Sequence, residues 1–540
     1  MMKWLDRITG TVTMYRLVLI SLLLLLVETL LLSFLGVITN DPIISEQPFG
    51  ILVSGLVLLV FTFVSNWIFA KLFRVKPHTE STFITALLLL FIFEPISQFG
   101  ATLVPQLVGL AAAGVIASAS KYLLAWHGRH IFNPAAVGAF VVTVIPYFAS
   151  NGDFAAWWLA TPWLLPVTIV LGFVILYRTR RQLMGLTFVV VVFFLTFWVY
   201  GGNGAPLAQT LLEPFTTFST LFFAAFMLSE PLTMPPRRWQ QLTEAVIVAI
   251  IFTVPFTIGS VFSTTTPQFA LLVGNLLAFL VGQRGGIRLD FVKRVKLTPS
   301  SWELSFRPQR PVRFRAGQYM ELSIPHPGAD VRGLRRIFSI ASAPSETAEI
   351  RIGLNTAERS SSFKKALLSL EPGEVITATS VGGDFLLPKD PARRLLFVAG
   401  GIGVTPFMSH LQQIESAGEG RDVAVLYSAS SPDEFAYTEQ LQKLGHPVYL
   451  VSPEPPTPLP KGWTYVGTGP LTPSLLAKTI PDVESRDAFV SGPPAFVHAV
   501  RALLRGAHAH SVKTDFFSGY TARSARPVAA AKPTATAKRA

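Results

Sequence analysis

The 540-residue chain contains no cysteine. Disulfides and cysteine-ligated iron–sulfur clusters are therefore excluded from it, and any redox path inside it must run through flavin, quinone or haem. Histidine is scarce as well. The first 285 residues hold His78, His127 and His130, all in loops between apolar runs. No two of them can lie at opposite depths of a helical bundle, so haem held by paired histidines is not expected. Charge is sparse, at 14% of residues, and unbalanced, with a net +13. That excess is not read as a nucleic-acid footprint, because the basic residues fall in short loops between apolar runs and in the tail. A cleavable signal peptide is not expected either. Arg16 opens a first apolar run too long for a signal core, and no small-residue cleavage site follows it.

What the chain has in abundance is hydrophobic sequence. Ten apolar runs lie near 17–38, 50–70, 80–98, 103–120, 133–149, 157–177, 183–200, 213–229, 243–262 and 267–283. Each is close to the ~20 residues that cross a hydrocarbon core as a helix. The eighth is interrupted by threonine and proline. Basic residues fall in alternate loops: Lys71, Arg74 and Lys76; Lys121 and Arg129; Arg178, Arg180 and Arg181; Arg237 and Arg238. The intervening loops carry Asp41, Glu46, Asp153 and Glu213 instead. The pattern predicts a polytopic domain over 1–285 in a bacterial-type inner or plasma membrane, in contact with lipid, with both termini cytoplasmic.

Two segments of this half stand out, one from His130 to Gly138 containing Phe132-Asn133-Pro134-Ala135, the other Phe226-Met227-Leu228-Ser229-Glu230-Pro231-Leu232-Thr233. Asn133-Pro134 is a helix-start signal, with asparagine as cap and proline in the first turn. Glu230-Pro231 ends an apolar run. In order and spacing these segments over roughly 50–283 resemble the RnfD/NqrB family of membrane flavin subunits, with Glu230 where that family has aspartate. The resemblance implies an FMN joined by a phosphodiester to a threonine, and the nearest match is Thr161 in Leu159-Ala160-Thr161-Pro162. Trp157 and Trp158 stand where that family has small residues. Thr161 is equally readable as a helix cap followed by Pro162.

After Gly286 the composition changes. Residues 287–390 alternate short β-rich runs with turns, and 391–520 alternate strand and helix patterns. Four motifs follow in order. Arg336-Ile337-Phe338-Ser339 offers a guanidinium for a phosphate, an aromatic for stacking and a hydroxyl for hydrogen bonding. Ser360-Ser361-Ser362 opens a helical run, where hydroxyls and first-turn amides either bind phosphate or simply cap the helix. Gly400-Gly401-Ile402-Gly403-Val404-Thr405-Pro406 joins an apolar strand to a helix, as a pyrophosphate-binding turn does. Ser491-Gly492-Pro493-Pro494 is the last. Together they resemble the ferredoxin–NADP reductase superfamily over 288–520, which implies an antiparallel FAD-binding β-barrel (287–390) and an α/β NAD(P)-binding domain (391–520).

By that resemblance Ser339 and Ser491 lie beside the hydride path, Ser491 standing where the family has cysteine. Arg336, Phe338, Ser361 and Ser362 belong to the flavin site. Gly400, Gly401, Gly403, Thr405, Pro406, Gly492 and Pro493 belong to the nucleotide site, and Tyr520 is an aromatic available to cover the flavin. Tyr427-Ser428-Ala429-Ser430 carries no arginine for a ribose 2′-phosphate, so NADH is preferred over NADPH. Residues 521–540 read as a disordered basic tail. The whole reads as an oxidoreductase carrying electrons from cytoplasmic NAD(P)H through FAD into the apolar half, to a second flavin, a quinone or an extracytoplasmic flavoprotein. A redox-driven cation pump and a membrane-anchored ferredoxin or flavodoxin reductase are the alternatives.

Overall fold

The computed structural model describes residues 12–36, 48–75, 77, 79–96, 103–126, 129–145, 155–201, 206–258, 262–263, 267–282, 286–326, 335–356 and 360–516. The first part is a helical bundle. Among the described residues, four helices are long and apolar enough to cross a membrane: Met14–Phe34, Pro48–Leu72, Leu103–Leu123 and Gln182–Val199. A fifth is reached if Thr210–Thr216 and Thr220–Leu228, bent 52° apart, count as one span. This corrects the expectation of ten spans. The remaining apolar helices are shorter: Thr79–Ile92 has 14 residues, Pro134–Val144 has 11, and Leu165–Thr179 and Pro267–Val281 have 15 each.

The shortening has local causes. At about 1.5 Å per residue, 14 residues reach roughly 21 Å, short of the ~30 Å hydrocarbon core. Thr79–Ile92 stops because Phe93 pairs with Ala155 as an isolated bridge, and the Trp158 indole donates to the carbonyls of Leu90 (2.8 Å) and Phe93 (2.9 Å). Pro134–Val144 starts on the Asn133 side chain, which accepts from Ala136 N–H. It ends at Ile145, extended at ψ 118° as a residue before proline must be. Val254, before Pro255, ends Arg238–Thr253 in the same way. Pro214 lies inside the helix before the 52° bend, and Phe223–Leu228 beyond it is a π-helix.

The bundle has an apolar interior, and it also turns large apolar side chains outward. Helix Pro48–Leu72 buries Ser54, Thr62, Ser65 and Asn66 while Phe61, Val64 and Trp67 face outward. Small residues let the backbones close. A Cβ on Gly114 would come within 2.8 Å of Thr62 Oγ1, and one on Gly138 within 2.6 Å of the Ala113 carbonyl.

Residues 287–382 form a six-stranded antiparallel sheet: β1 (Ile287–Lys296), β2 (Ser301–Pro308), β3 (Tyr319–Ser323), β4 (Arg335–Ser339), β5 (Ile350–Asn355) and β6 (Val375–Gly382), in the order β4-β3-β6-β1-β2-β5. Alternating burial on β1 and β3 turns one face inward around Leu289, Phe306, Met320 and Leu322. A second, all-parallel sheet follows: β7 (Leu395–Gly400), β8 (Val423–Ser428), β9 (Val448–Val451), β10 (Trp463–Gly467), β11 (Asp487–Gly492) and β12 (Ser511–Phe516), in the order β10-β9-β8-β7-β11-β12. The order reverses between β7 and β11, and ligands of open α/β sheets lie beyond the carboxyl ends of strands at such a switch. Gly317 (φ +83°) knits the two sheets together, because a side chain there would collide with the Phe385 carbonyl and His410.

The reductase part sits against one end of the bundle. The Tyr15 hydroxyl meets the Arg335 side chain, with Glu230 and Glu321 in electrostatic range. Arg181 donates to Gln241 Oε1 at 2.6 Å and faces Tyr319 and Asp384. The Pro236 carbonyl lies 3.5 Å from where a Cβ on Gly382 would stand. Loops that carry Arg180, Arg181, Arg237 and Arg238 thus share a side with the reductase.

Candidate functional site

At the nucleotide end, β7 delivers Gly400 and Gly401 to the switch point, and Thr405-Pro406 start the helix Thr405–Ser416. The Thr405 hydroxyl is buried and donates to the Ile402 carbonyl at 2.7 Å. The three glycines have different reasons to be glycine. A Cβ on Gly400 would meet the Phe496 ring at 2.8 Å, and one on Gly403 would overlap the Ser491 carbonyl. Gly401 has φ +54° and open space around it. Its surroundings, above the helix start, are where a pyrophosphate can approach backbone N–H groups. Gly403 locks the glycine loop to Ser491-Gly492 at the end of β11, so the third and fourth motifs form one site. Pro493 precedes the helix Pro494–Gly506. Phe496, which sequence reading passed over, keeps both Gly400 and Gly492 small. The Ser491 hydroxyl is buried without a hydrogen-bond partner among the described residues.

At the flavin end, β4 carries Arg336, Phe338 and Ser339. The Arg336 guanidinium lies 5.4 Å over the Phe363 ring, and Phe338 stacks on the same ring at 6.0 Å. Phe338 is 6% exposed, so its ring is packed against Phe363 rather than standing open. The Ser361 hydroxyl accepts from Lys364 N–H as the N-cap of Ser362–Leu368, the capping reading. Ser362 opens that helix. Tyr520 lies outside the described residues.

Ser339 is buried, and its hydroxyl donates to Asp515 Oδ2 on β12 at 3.2 Å. Sequence reading named Tyr520 a few residues on and missed Asp515 itself. The available signal was a lone carboxylate between Thr514 and the Phe516-Phe517 pair. Asp515 retains some surface yet is enclosed on most sides. Burial pushes its carboxyl above the usual range, opposed by the Ser339 hydrogen bond and by Arg180. His410, buried between the sheets, is pushed down to about 4 by burial, and its Nε2 is 2.8 Å from the Phe385 carbonyl. It is neutral at pH 7 and structural.

The bundle holds two further features. His130 lies 3.4 Å from Glu230, Asn133 Nδ2 donates to Glu230 Oε2 at 2.9 Å, and Asn275 Oδ1 accepts from Asn133 N–H at 2.8 Å. The two segments singled out in the sequence therefore meet through Glu230. Thr161 is buried, and its hydroxyl has no hydrogen-bond partner among the described residues. The helix after it starts at Leu165 with Leu164 as N-cap, so Thr161 does not cap it. Its neighbours Trp157 and Trp158 are buried in the bundle, Trp157 Nε1 donating to Gln268 Oε1 at 2.9 Å.

The residues present fit a dinucleotide flavin and a nicotinamide nucleotide. The fit rests on the open left-handed Gly401, the buried Ser491 hydroxyl with no partner among the described residues, and the Ser339–Asp515 pair. Residues 397–502 match the family described as oxidoreductase NAD-binding domain. The chain is 27% identical over 224 residues to the stachydrine N-demethylase reductase subunit of Rhizobium meliloti, covering 40% of this chain and 62% of that protein. It is 34% identical over 152 residues to ferredoxin–NADP reductase B of Sorangium cellulosum, covering 27% of this chain and 60% of that protein. A flavohemoprotein of Halalkalibacterium halodurans is 27% identical over 205 residues, 36% of this chain and 49% of that protein. The chain thus spans about half to three-fifths of the relatives it matches. Its C-terminal part is similar to reductases of the ferredoxin–NADP reductase kind, with an oxidoreductase NAD-binding domain within it.

Proposed function

We propose that the whole chain is a membrane-embedded NAD(P)H-dependent flavin oxidoreductase that passes electrons from the reductase into the helical bundle. The observation that carries this reading is the placement of β4 and the end of β6 against the basic-loop face of the bundle, through the Arg335–Tyr15 hydrogen bond and the close approach of Gly382 to Pro236, with Arg181 in electrostatic range of Tyr319 on β3. An inert anchor has no need to hold the flavin-site strand against itself. The large apolar side chains exposed on the bundle support lipid around it, and the shared side supports a cytoplasmic reductase and cytoplasmic termini.

FAD, when bound, supplies hydride acceptance and single-electron release. Arg336 and the amides at Ser361-Ser362 are the groups that would hold its phosphates, and Phe338 the ring beside it. Gly401, Thr405, Pro406, Gly492 and Pro493 would hold NAD(P)H, with NADH preferred. Ser339 keeps its proton on Oγ, directed at Asp515, and this pair can take up or give a proton next to the flavin site. Ser491 offers a free hydroxyl on the nicotinamide side. Beyond the docking face, Thr161 is the candidate attachment point for FMN, its hydroxyl being buried and unengaged. A quinone or an extracytoplasmic flavoprotein is then the acceptor.

The test is flavin analysis and acceptor reduction. The full chain, expressed with a flavin transferase and reconstituted in lipid, is assayed for NAD(P)H-driven reduction of a quinone analogue. Acid precipitation then separates released FAD from retained FMN. Quinone reduction at the rate of flavin turnover is expected. Turnover only with an added ferredoxin or oxygenase would favour the second reading, a reductase component like those named among its relatives.

A further inference from the structure

Where the nucleotide-binding sheet meets the barrel, one carboxylate gathers three donors from a single turn. Glu434 closes the short helical turn Pro432–Glu434 that follows β8. Its carboxylate accepts from the Thr298 hydroxyl at 2.8 Å, the Ser300 hydroxyl at 2.6 Å and the Ser300 N–H at 3.1 Å. Thr298 and Ser300 belong to the turn between β1 and β2. The backbone around Glu434 is fixed from its own side as well. The Tyr427 hydroxyl on β8 accepts from Ala436 N–H at 2.9 Å, and the Tyr427 and Phe435 rings meet edge to face at 5.0 Å.

Ser300 carries the connection onward. Its carbonyl accepts from the Thr356 N–H at 2.6 Å and from the Thr356 hydroxyl at 3.0 Å, and its hydroxyl accepts from the Asn355 side-chain amide. The Asn355 carbonyl in turn accepts from the Lys364 ammonium, and Lys364 N–H donates to the Ser361 hydroxyl. Asn355 ends β5, and Ser361 caps the helix Ser362–Leu368. One chain of hydrogen bonds thus runs from the segment after Ser428-Ala429-Ser430 to the helix start assigned above to the flavin phosphates. A second contact braces the same junction. A Cβ on Gly353 of β5 would overlap the Thr405 hydroxyl and come within 3.0 Å of the Tyr437 hydroxyl. A carboxylate suits the post at 434, because it only accepts, with about four lone-pair sites, and its charge-assisted bonds are roughly twice as strong as neutral ones.

We propose that Glu434 is a positioning residue that holds the nucleotide-binding sheet in register on the barrel, its carboxylate joining the end of β8 to the flavin-phosphate helix through Ser300, Asn355 and Lys364. The inference rests on the reading of the chain as a flavin enzyme that oxidises NAD(P)H. Hydride transfer depends on how nicotinamide and flavin meet, and a misplacement of about 1 Å can cost roughly 100-fold in rate. Cutting the tie leaves each binding surface intact and loosens their mutual placement. It therefore acts on the rate of transfer and spares the holding of either ligand.

The test uses the full chain in lipid with FAD, as wild type, Glu434→Ala, Glu434→Gln, Ser300→Ala and the Glu434→Ala/Ser300→Ala double variant. Rapid mixing with NADH follows flavin reduction and the long-wavelength absorbance of a stacked nicotinamide–flavin pair. FAD content, the Kd for NADH and thermal unfolding are measured alongside. In Glu434→Ala, flavin reduction at saturating NADH should slow roughly 10-fold and the long-wavelength absorbance should weaken, with FAD content and Kd within about twofold of wild type. Glu434→Gln, which keeps an acceptor oxygen, should recover most of the rate. The double variant should be no slower than the slower single variant, because both cut one contact. A wild-type rate and absorbance in Glu434→Ala overturn the inference. Additive losses in the double variant overturn it too, as does a slower rate matched by an equal loss of FAD or of NADH affinity. Should Glu434→Ala not fold, Ser300→Ala carries the same expectation and the same refutation. If the wild-type chain neither holds FAD nor oxidises NAD(P)H, the functional reading falls, and this inference with it.

Discussion

Ser339, the last residue of β4, donates its hydroxyl to Asp515 near the end of β12 at 3.2 Å. One side chain belongs to the barrel and the other to the nucleotide-binding sheet, and they are 176 residues apart. The pair therefore tests both whether the two sheets are assembled and whether a proton can be held at the flavin site.

Ser339→Ala should slow flavin reduction by NAD(P)H roughly 100-fold, the usual scale for losing a positioned proton-transfer group, with KM little changed. Stopped-flow absorbance of the flavin measures it. Asp515→Asn should give a similar loss and flatten the acid limb of the pH profile. Full activity in Ser339→Ala would remove the hydroxyl from the reaction.

The glycines separate by what surrounds them. Gly401→Ala should cost about 1 kcal/mol of stability for its left-handed backbone and raise KM for NAD(P)H, since the space it fills is where the nucleotide approaches. Gly403→Ala should cost roughly 1–3 kcal/mol, because its Cβ overlaps the Ser491 carbonyl and the interior must shift. Thermal unfolding and steady-state kinetics on the two variants give the contrast. Equal effects on KM and stability in both would contradict it.

Thr161→Val should leave stability unchanged or slightly higher, because it removes a buried hydroxyl that has no partner among the described residues. The same variant should abolish protein-bound FMN in acid precipitates while FAD is released as before. FMN still present in the Thr161→Val pellet would move the attachment elsewhere.

His410 gives the reductase an acid limit. Its folded pKa of about 4 lies below the ordinary 6.5, so both states are neutral above pH 6.5 and the residue has no effect on stability there. As pH falls from 6.5 toward 4 the unfolded chain takes up the proton first, and stability declines by up to about 3 kcal/mol. The unfolding temperature should drop over that window, and drop less in His410→Gln. Parallel pH dependences in the two proteins would assign the loss to other groups.

Much of the reductase was legible because its motifs are short stretches whose neighbours in space are also neighbours in sequence. Strand, glycine turn and helix at 395–416 lie as the residues dictate, and so does the Asn133 cap with Pro134 behind it. Contacts between distant segments were not legible. Hydropathy cannot see that Trp158 receives the end of a helix 65 residues earlier, so an apolar run of spanning length became a helix of 14 residues. Nor does a glycine motif reveal that Gly400 is small for Phe496 and Gly403 for Ser491. Asp515 was hidden for the same reason, since its meaning lies in Ser339.

The helix end at Leu90 and Phe93 also bears on how the bundle is made. Its carbonyls are satisfied by an indole that the ribosome has yet to synthesise when Thr79–Ile92 emerges. On the proposal that the bundle is embedded in a membrane, a bare carbonyl would cost several kcal/mol in hydrocarbon, and this segment would not settle into lipid on its own. It would then wait, sheltered by the insertion machinery or by water, until the chain has grown through Trp158. Assembly of the first half is then a single late event instead of a succession of independent insertions.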